Sequence, residues 1–167
     1  MIEHSFPPIA EQNAKHLILG SMPSVQSLKQ QQYYANPRNA FWQIMAELLN
    51  FDIKLPYQSR GTELTNHQIA VWDVLQSCQR QGSLDSNIEE ATIIANDFTA
   101  FLNQYSDIHT ILFNGAKAEQ IFNRHVLPNL SSNHAELIRK RLPSTSPAHA
   151  SMKFEQKMLA WKAALLT

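Results

Sequence analysis

The segment His16-Leu-Ile-Leu-Gly20-Ser-Met-Pro-Ser24 decides how this chain is read. A short apolar run stopped by glycine has no helical period, so it reads as a strand buried on both faces. Two further runs look alike. Ala70-Val-Trp-Asp-Val-Leu75 is one, and Ile108-His-Thr-Ile-Leu-Phe113 is the other, closed by Asn114-Gly115. Ala135-Glu-Leu-Ile-Arg139 is a fourth candidate, more mixed in polarity. Between them lie helical patterns. Phe41, Ile44, Met45, Leu48 and Leu49 recur at three and four, with Asn39 as a plausible N-cap. Asn87 to Tyr105 and Ala116 to His125 read as helices, and Phe154, Met158, Trp161 and Leu165 mark a last one. Asp52 to Asn66, polar and carrying Pro56 and Gly61, reads as a surface excursion.

Strands alternating with helices predict an α/β fold: one domain over 1–167, a three-layer αβα sandwich on a central, mainly parallel four-stranded sheet. Ligands of such sheets bind beyond the carboxyl ends of the strands. Those ends are Gly20 to Ser24, Trp72-Asp73, Asn114-Gly115 and Leu142-Pro-Ser-Thr-Ser-Pro147.

Composition narrows the function. The chain has 167 residues, 44% of them hydrophobic, enough for one sizeable core. Fourteen basic and fourteen acidic side chains cancel, which excludes a polycationic coat but not a local basic patch. The lone Cys78 reads as a structural thiol in a reducing compartment. With no signal-peptide pattern and no long apolar run, the expected location is the cytoplasm, with no membrane. Zinc-ligand spacings, Walker loops, dinucleotide fingerprints and nucleophile elbows are all missing, so no metal and no cofactor is expected.

Three segments carry possible chemistry. Gly20, Ser21, Met22 and Pro23 form a small turn whose amides could face a ligand. Tyr33-Tyr34-Ala-Asn36-Pro-Arg-Asn39 concentrates groups that stack on and hydrogen-bond a planar molecule, and Asn114 offers a donor and an acceptor together. Arg139, Lys140 and Arg141, followed by Ser144, Thr145 and Ser146, suit phosphate contact from a stiff loop. Each has a purely structural reading too: Asn39 as a cap, Asn114 as a strand-ending turn, the three bases as a solvated strand end. Asp73 and Asp85 are possible carboxylates that nothing in the sequence pairs, and His149 has no assigned role.

In this order, these segments resemble the uracil-DNA glycosylase superfamily. Gly20-Ser-Met-Pro-Ser24 is similar to its first motif. Asn36-Pro-Arg-Asn-Ala-Phe-Trp42 is similar to a stretch of the mismatch-specific branch, and Leu142-Pro-Ser-Thr-Ser-Pro147 to the loop that enters the minor groove. With Phe113-Asn114-Gly115, the hypoxanthine (deoxyinosine) branch is the nearest. Met22 stands where the mismatch-specific branch has a water-orienting asparagine, and Leu142 where uracil-excising members have a histidine. The hypoxanthine branch is similar in lacking both.

The resemblance implies a monofunctional DNA repair glycosylase without lyase activity, acting as a monomer on double- or single-stranded DNA that carries a deaminated base, as in a bacterial-type nucleoid. Hypoxanthine is favoured over uracil or a G:T/U mismatch. Catalysis would fall to Asn39 and to the Ser21-Met22 amides, and Tyr34, Asn114, Gly20 and Pro23 would bind the base. Ser144, Thr145, Ser146, Arg139, Lys140 and Arg141 would hold DNA. Two other readings compete: a nucleoside hydrolase, and a damaged-DNA-binding relative with weakened catalysis.

Overall fold

The computed structural model describes residues 1–166. Its elements, in chain order, are β1 (Ile2–His4), β2 (His16–Gly20), α1 (Val25–Gln30), α2 (Phe41–Leu49), α3 (Tyr57–Asn66), β3 (Ile69–Asp73) and β4 (Leu75–Gln79). They continue with β5 (Ile94–Ala95), α4 (Phe98–Gln104), β6 (Thr110–Asn114), α5 (Ala116–Ile121), α6 (Ser132–Ala135), β7 (Ile138–Leu142) and α7 (Phe154–Leu165).

The central sheet has the order β3-β2-β6-β7, and every neighbouring pair is parallel. Alternation along each strand divides the core in two. Leu17, Leu19, Ala70, Ile111 and Phe113 face α4 and α5, through Phe98, Phe101, Leu102, Ala118 and Ile121. Ile18, Ile69, Val71, Leu112 and Leu142 face α2, α3 and α7, through Phe41, Ile44, Met45, Leu64 and Trp161. Helices on both faces complete the expected three-layer αβα sandwich. The fourth strand lies three residues later than expected, since Ala135 ends α6 and the ladder runs from Ile138 to Leu142.

Other expectations are corrected. Ala70 to Leu75 is not one strand: the chain turns at Val74, and β4 leaves for a second sheet, antiparallel, of order β1-β4-β5. Asn87 to Tyr105 is helical only from Phe98, where Asp97 caps α4 by accepting from the Ala100 amide at 3.0 Å. Ile88 instead bridges Arg80, and Ile94 lies in β5, more than half exposed. Asp52 to Asn66 contains α3, held by Leu64 in the core and by the Arg60 guanidinium 4.7 Å from the Trp42 ring centre. The helix begun at Ala116 widens to a π turn over Phe122–Val126. Cys78 is free and buried in β4.

Candidate active site

At the carboxyl end of the parallel sheet lies a cleft of about 600 Å³. Its floor is Gly20 and Asp73, where β2 and β3 end, and Asn114 closes β6 beside them. Tyr34, Asn39 and the 144–149 loop form its walls, faced by the 83–86 turn.

The floor is tight. A Cβ on Gly20 would lie 2.5 Å from Asp73 Oδ1 and 3.1 Å from the Tyr34 hydroxyl, so only glycine fits beneath those groups. Asp73 is 3% exposed, and burial, then the nearby Asp85 carboxylate, push its pKa up to about 7 against the pull of Arg80. Asp85 sits on an exposed turn with its carboxyl turned inward, accepting from Ser21 Oγ at 2.6 Å. Burial raises its pKa too, opposed by the Ser21 bond, Arg80 and Lys117. Sequence left these two aspartates unpaired, and the fold brings both into the cleft.

Tyr34 holds a left-handed backbone at φ 57°, rare for a residue with a side chain. One ring face stacks on Phe41, with centroids 4.1 Å apart and an interplanar angle of 26°. Its hydroxyl reaches the floor, where burial and the Asp73 charge raise its pKa strongly. Asn114 stands close enough to offset that shift slightly, but its amide is engaged elsewhere and leaves the hydroxyl without a well-formed bond.

Asn39 belongs to a turn in which its amide donates to the Asn36 carbonyl. The helix N-cap is Ala40, yet Asn39 Oδ1 still accepts from the Phe41 amide at 2.9 Å. One lone pair of Oδ1 and both Nδ2 hydrogens remain for a ligand.

Asn114 is a clamp. Its Nδ2 donates to Thr145 Oγ1 and its Oδ1 accepts from the Thr145 amide, both at 2.9 Å. Gly115, at φ 96°, lets the loop come close: a Cβ there would sit 3.0 Å from Ser144 Cβ. The Ala40 amide also donates to the Thr145 carbonyl, tying the loop to the start of α2. Two bonds of about 1 kcal/mol each make Asn114 a structural anchor as well as a cleft residue. Asn114→Ala should therefore lower stability by about 2 kcal/mol and slow catalysis roughly tenfold to a hundredfold by freeing the loop. Melting and single-turnover rates check this, and an unchanged pair would mean that the loop holds itself.

The DNA-binding expectations divide. Ser144 Oγ and Ser146 Oγ accept from the Ser146 and Ala148 amides at 3.2 and 3.1 Å, leaving each hydroxyl proton free to donate. Thr145 differs: at 1% exposure, with its Oγ1 and amide both bonded to Asn114, it faces the protein and fastens the loop. The basic triplet is also not in the loop. Arg139, Lys140 and Arg141 lie on β7, exposed, and strand alternation sends Lys140 to the face opposite the two arginines. Arg141 leans to Glu119 at 3.8 Å and Arg139 donates back to the Ala135 carbonyl, so the three make no common patch at the cleft. The basic side chains that do line it are Arg38 and His149. Met22 turns its side chain into the core at 7% exposure, and Leu142, at 2%, packs in the layer with Phe41 and Trp161. Pro23 holds its carbonyl to Arg80 Nη2.

The model of the uracil DNA glycosylase superfamily matches residues 7–167. The chain belongs to this superfamily. It is 33% identical over 150 residues to a hypoxanthine DNA glycosylase of Methanosarcina acetivorans, spanning 84% of this chain and 94% of that one. A hypoxanthine DNA glycosylase of Methanosarcina barkeri is 34% identical over 119 residues, 71% of this chain and 74% of its own. A solution NMR structure of a candidate uracil DNA glycosylase from Methanosarcina acetivorans superposes with a TM-score of 0.81 at 32% identity, covering 99% of this chain and 97% of that one.

Two acids, Asp73 and Asp85, line the cleft. Asp73 closes a strand that the fold points at the ligand, which its place in the sequence could suggest. Asp85 and the 83–86 turn gave no such signal, because only the second sheet carries them back to Ser21. Among the described residues no group of three or more His, Cys, Asp and Glu side chains could hold a metal ion, and no helix is long and apolar enough to cross a membrane.

Proposed function

We propose that this protein is a DNA glycosylase that takes a deaminated base, hypoxanthine foremost, out of the duplex and hydrolyses its N-glycosidic bond. The carrying observation is a cleft walled by Tyr34, Asn39 and Asn114, in a chain about a third identical to two hypoxanthine DNA glycosylases. A single 1–167 domain would act as a monomer, in the cytoplasm.

A flipped nucleotide enters with its base on the Gly20–Asp73 floor, most easily when it is mispaired. Asn39 holds a water against the sugar C1′ as positive charge develops there. An amide cannot take up a proton at this pH, so Asn39 works by position and by dipole. The turn of Ser21 and Met22 lies at the same floor and offers backbone amides to the departing base. Ser144 and Ser146 donate to phosphates beside the extruded nucleotide, with Arg38 and His149 at the rim. No lysine lines the cleft among the described residues, which favours hydrolysis without a Schiff base and hence without strand cleavage.

Single-turnover base release from duplexes carrying one deoxyinosine, deoxyuridine or mispaired thymidine tests the proposal. Deoxyinosine should be fastest, with strand breaks appearing only after alkali. Faster release of uracil would keep the reaction and overturn the base. Tight lesion binding with no release from any duplex would make the protein a damage reader.

A further inference from the structure

Two polar atoms at the cleft floor are shut away from solvent without a partner: the Tyr34 hydroxyl and Asp73 Oδ2. Buried polar groups in native proteins are nearly always bonded, and an orphan in a ligand cleft marks a place for the ligand. The two side chains converge over one backbone position, Gly20, where a methyl group would collide with Asp73 Oδ1 and press on the Tyr34 hydroxyl. One is a neutral donor and the other an acceptor. Their polar neighbours are already partly engaged, Asn114 being bonded twice to Thr145 while Asp85 accepts from Ser21.

We propose that Asp73 and Tyr34 together read the edge of the flipped base: the Asp73 carboxylate accepts the ring N–H of a lactam, and the Tyr34 hydroxyl donates to the carbonyl beside it. This rests on the cleft being a glycosylase base pocket. Deamination is the change such a pair detects. Adenine and cytosine present an amino group beside a bare ring nitrogen, whereas hypoxanthine, xanthine and uracil present a carbonyl beside an N–H. Donor and acceptor have changed places. The glycosidic bond prevents the base from turning over, so a parent base would set a lone pair against the carboxylate. The pair therefore selects a class of deaminated bases, and the remaining walls choose within it.

The reading implies a pH limb. Groups facing Asp73 are Asp85 from the 83–86 turn, Arg80 after β4, Tyr33 and Tyr34 before α2, and Tyr57 of α3. Burial first, and Asp85 next, hold the Asp73 pKa at about 7. A carboxylate is the acceptor form, so kcat/KM for deoxyinosine release should rise with pH through about 7 and then level.

The test compares wild type, Asp73→Asn and Tyr34→Phe in single-turnover release from deoxyinosine and deoxyadenosine duplexes across pH. An asparagine can turn its NH₂ toward a bare ring nitrogen. Asp73→Asn should thus flatten the limb and lower the preference for deoxyinosine by roughly tenfold to a hundredfold. Tyr34→Phe keeps the ring on Phe41 and loses only the hydroxyl, so about a tenfold loss is expected where simple stacking predicts none. Melting separates a role in folding. A carboxyl whose folded pKa exceeds its unfolded value destabilises the fold as pH rises through that window, so Asp73→Asn should melt higher than wild type at alkaline pH. A limb that persists in Asp73→Asn, or Tyr34→Phe at the wild-type rate, would overturn the proposal and leave the glycosylase intact. An inactive Asp73→Asn that melts lower would also overturn it, making the aspartate structural. Wild type that releases no base from any duplex would overturn the glycosylase reading itself.

Discussion

Asn39→Ala should slow base release by about a hundredfold to a thousandfold, the usual cost of deleting one pre-positioned polar group at a developing charge. The prediction depends on how little else the side chain does. Its one bond within the protein is from the Phe41 amide to Oδ1, a helix-entry contact of about 1 kcal/mol. Loss of that contact lowers the melting temperature by a few degrees and leaves the fold in place. Duplex binding should stay within a few-fold, because Ser144, Ser146, Arg38 and His149 are untouched. Asn39→Asp sharpens the test, since it keeps the acceptor for Phe41 but removes both amide hydrogens. Equal loss in Ala and Asp would show that the hydrogens matter. Rates within tenfold of wild type in both would send the search for the water-holding group to Asp85, 2.6 Å from Ser21 Oγ.

Trp161→Ala is expected to have the largest effect on stability, about 3–5 kcal/mol, or roughly 10 °C in melting temperature. Trp161 is 0% exposed and is the main anchor of α7. Its Nε1 donates to the Pro143 carbonyl at 3.0 Å, at the root of the 144–149 loop. Its ring meets Phe41 edge-on, with centroids 6.2 Å apart, and Phe41 in turn backs Tyr34. The last helix is thereby coupled to both walls of the cleft, so activity should fall even at temperatures where the variant is folded. Trp161→Phe, which keeps most of the volume and loses the bond, should cost about 1–2 kcal/mol. Urea denaturation of the two variants measures the difference. A Trp161→Ala protein with an unchanged midpoint would mean that α7 is only loosely docked.

Some of this molecule is written plainly in its chain. Leu17 to Leu19 and Ile111 to Phe113 are apolar on consecutive residues, which a strand tolerates only when both faces are covered. The periodic residues of α2 and α7 mark the helices that cover one face. Asn114 was legible because it ends a strand of the parallel sheet, and Tyr34 and Asn39 because they fall in a cluster of stacking and hydrogen-bonding residues that carries the resemblance. The second sheet was not legible. β1 is three residues long, and Val74-Leu75 prolongs the apolar residues of β3 straight into β4 with no glycine or proline between them. Ile88 and Ile94 fell into helical spacing with Phe98 by coincidence, since one bridges Arg80 and the other is exposed in β5. The basic triplet does not converge on the cleft because adjacency in sequence sends side chains to opposite faces of a strand.

Period and punctuation are local properties, and they determined the α/β class, the main strands and the end of the sheet that carries the site. The identity of the site's working atoms is not local. Gly20, Tyr34, Asp73 and Asp85 meet only when β2, the turn before α2, β3 and the second sheet are assembled. An aspartate titrating at about 7 exists only there, because its pKa is made by the water it loses and by the charge it gains as a neighbour, and both come from the tertiary fold.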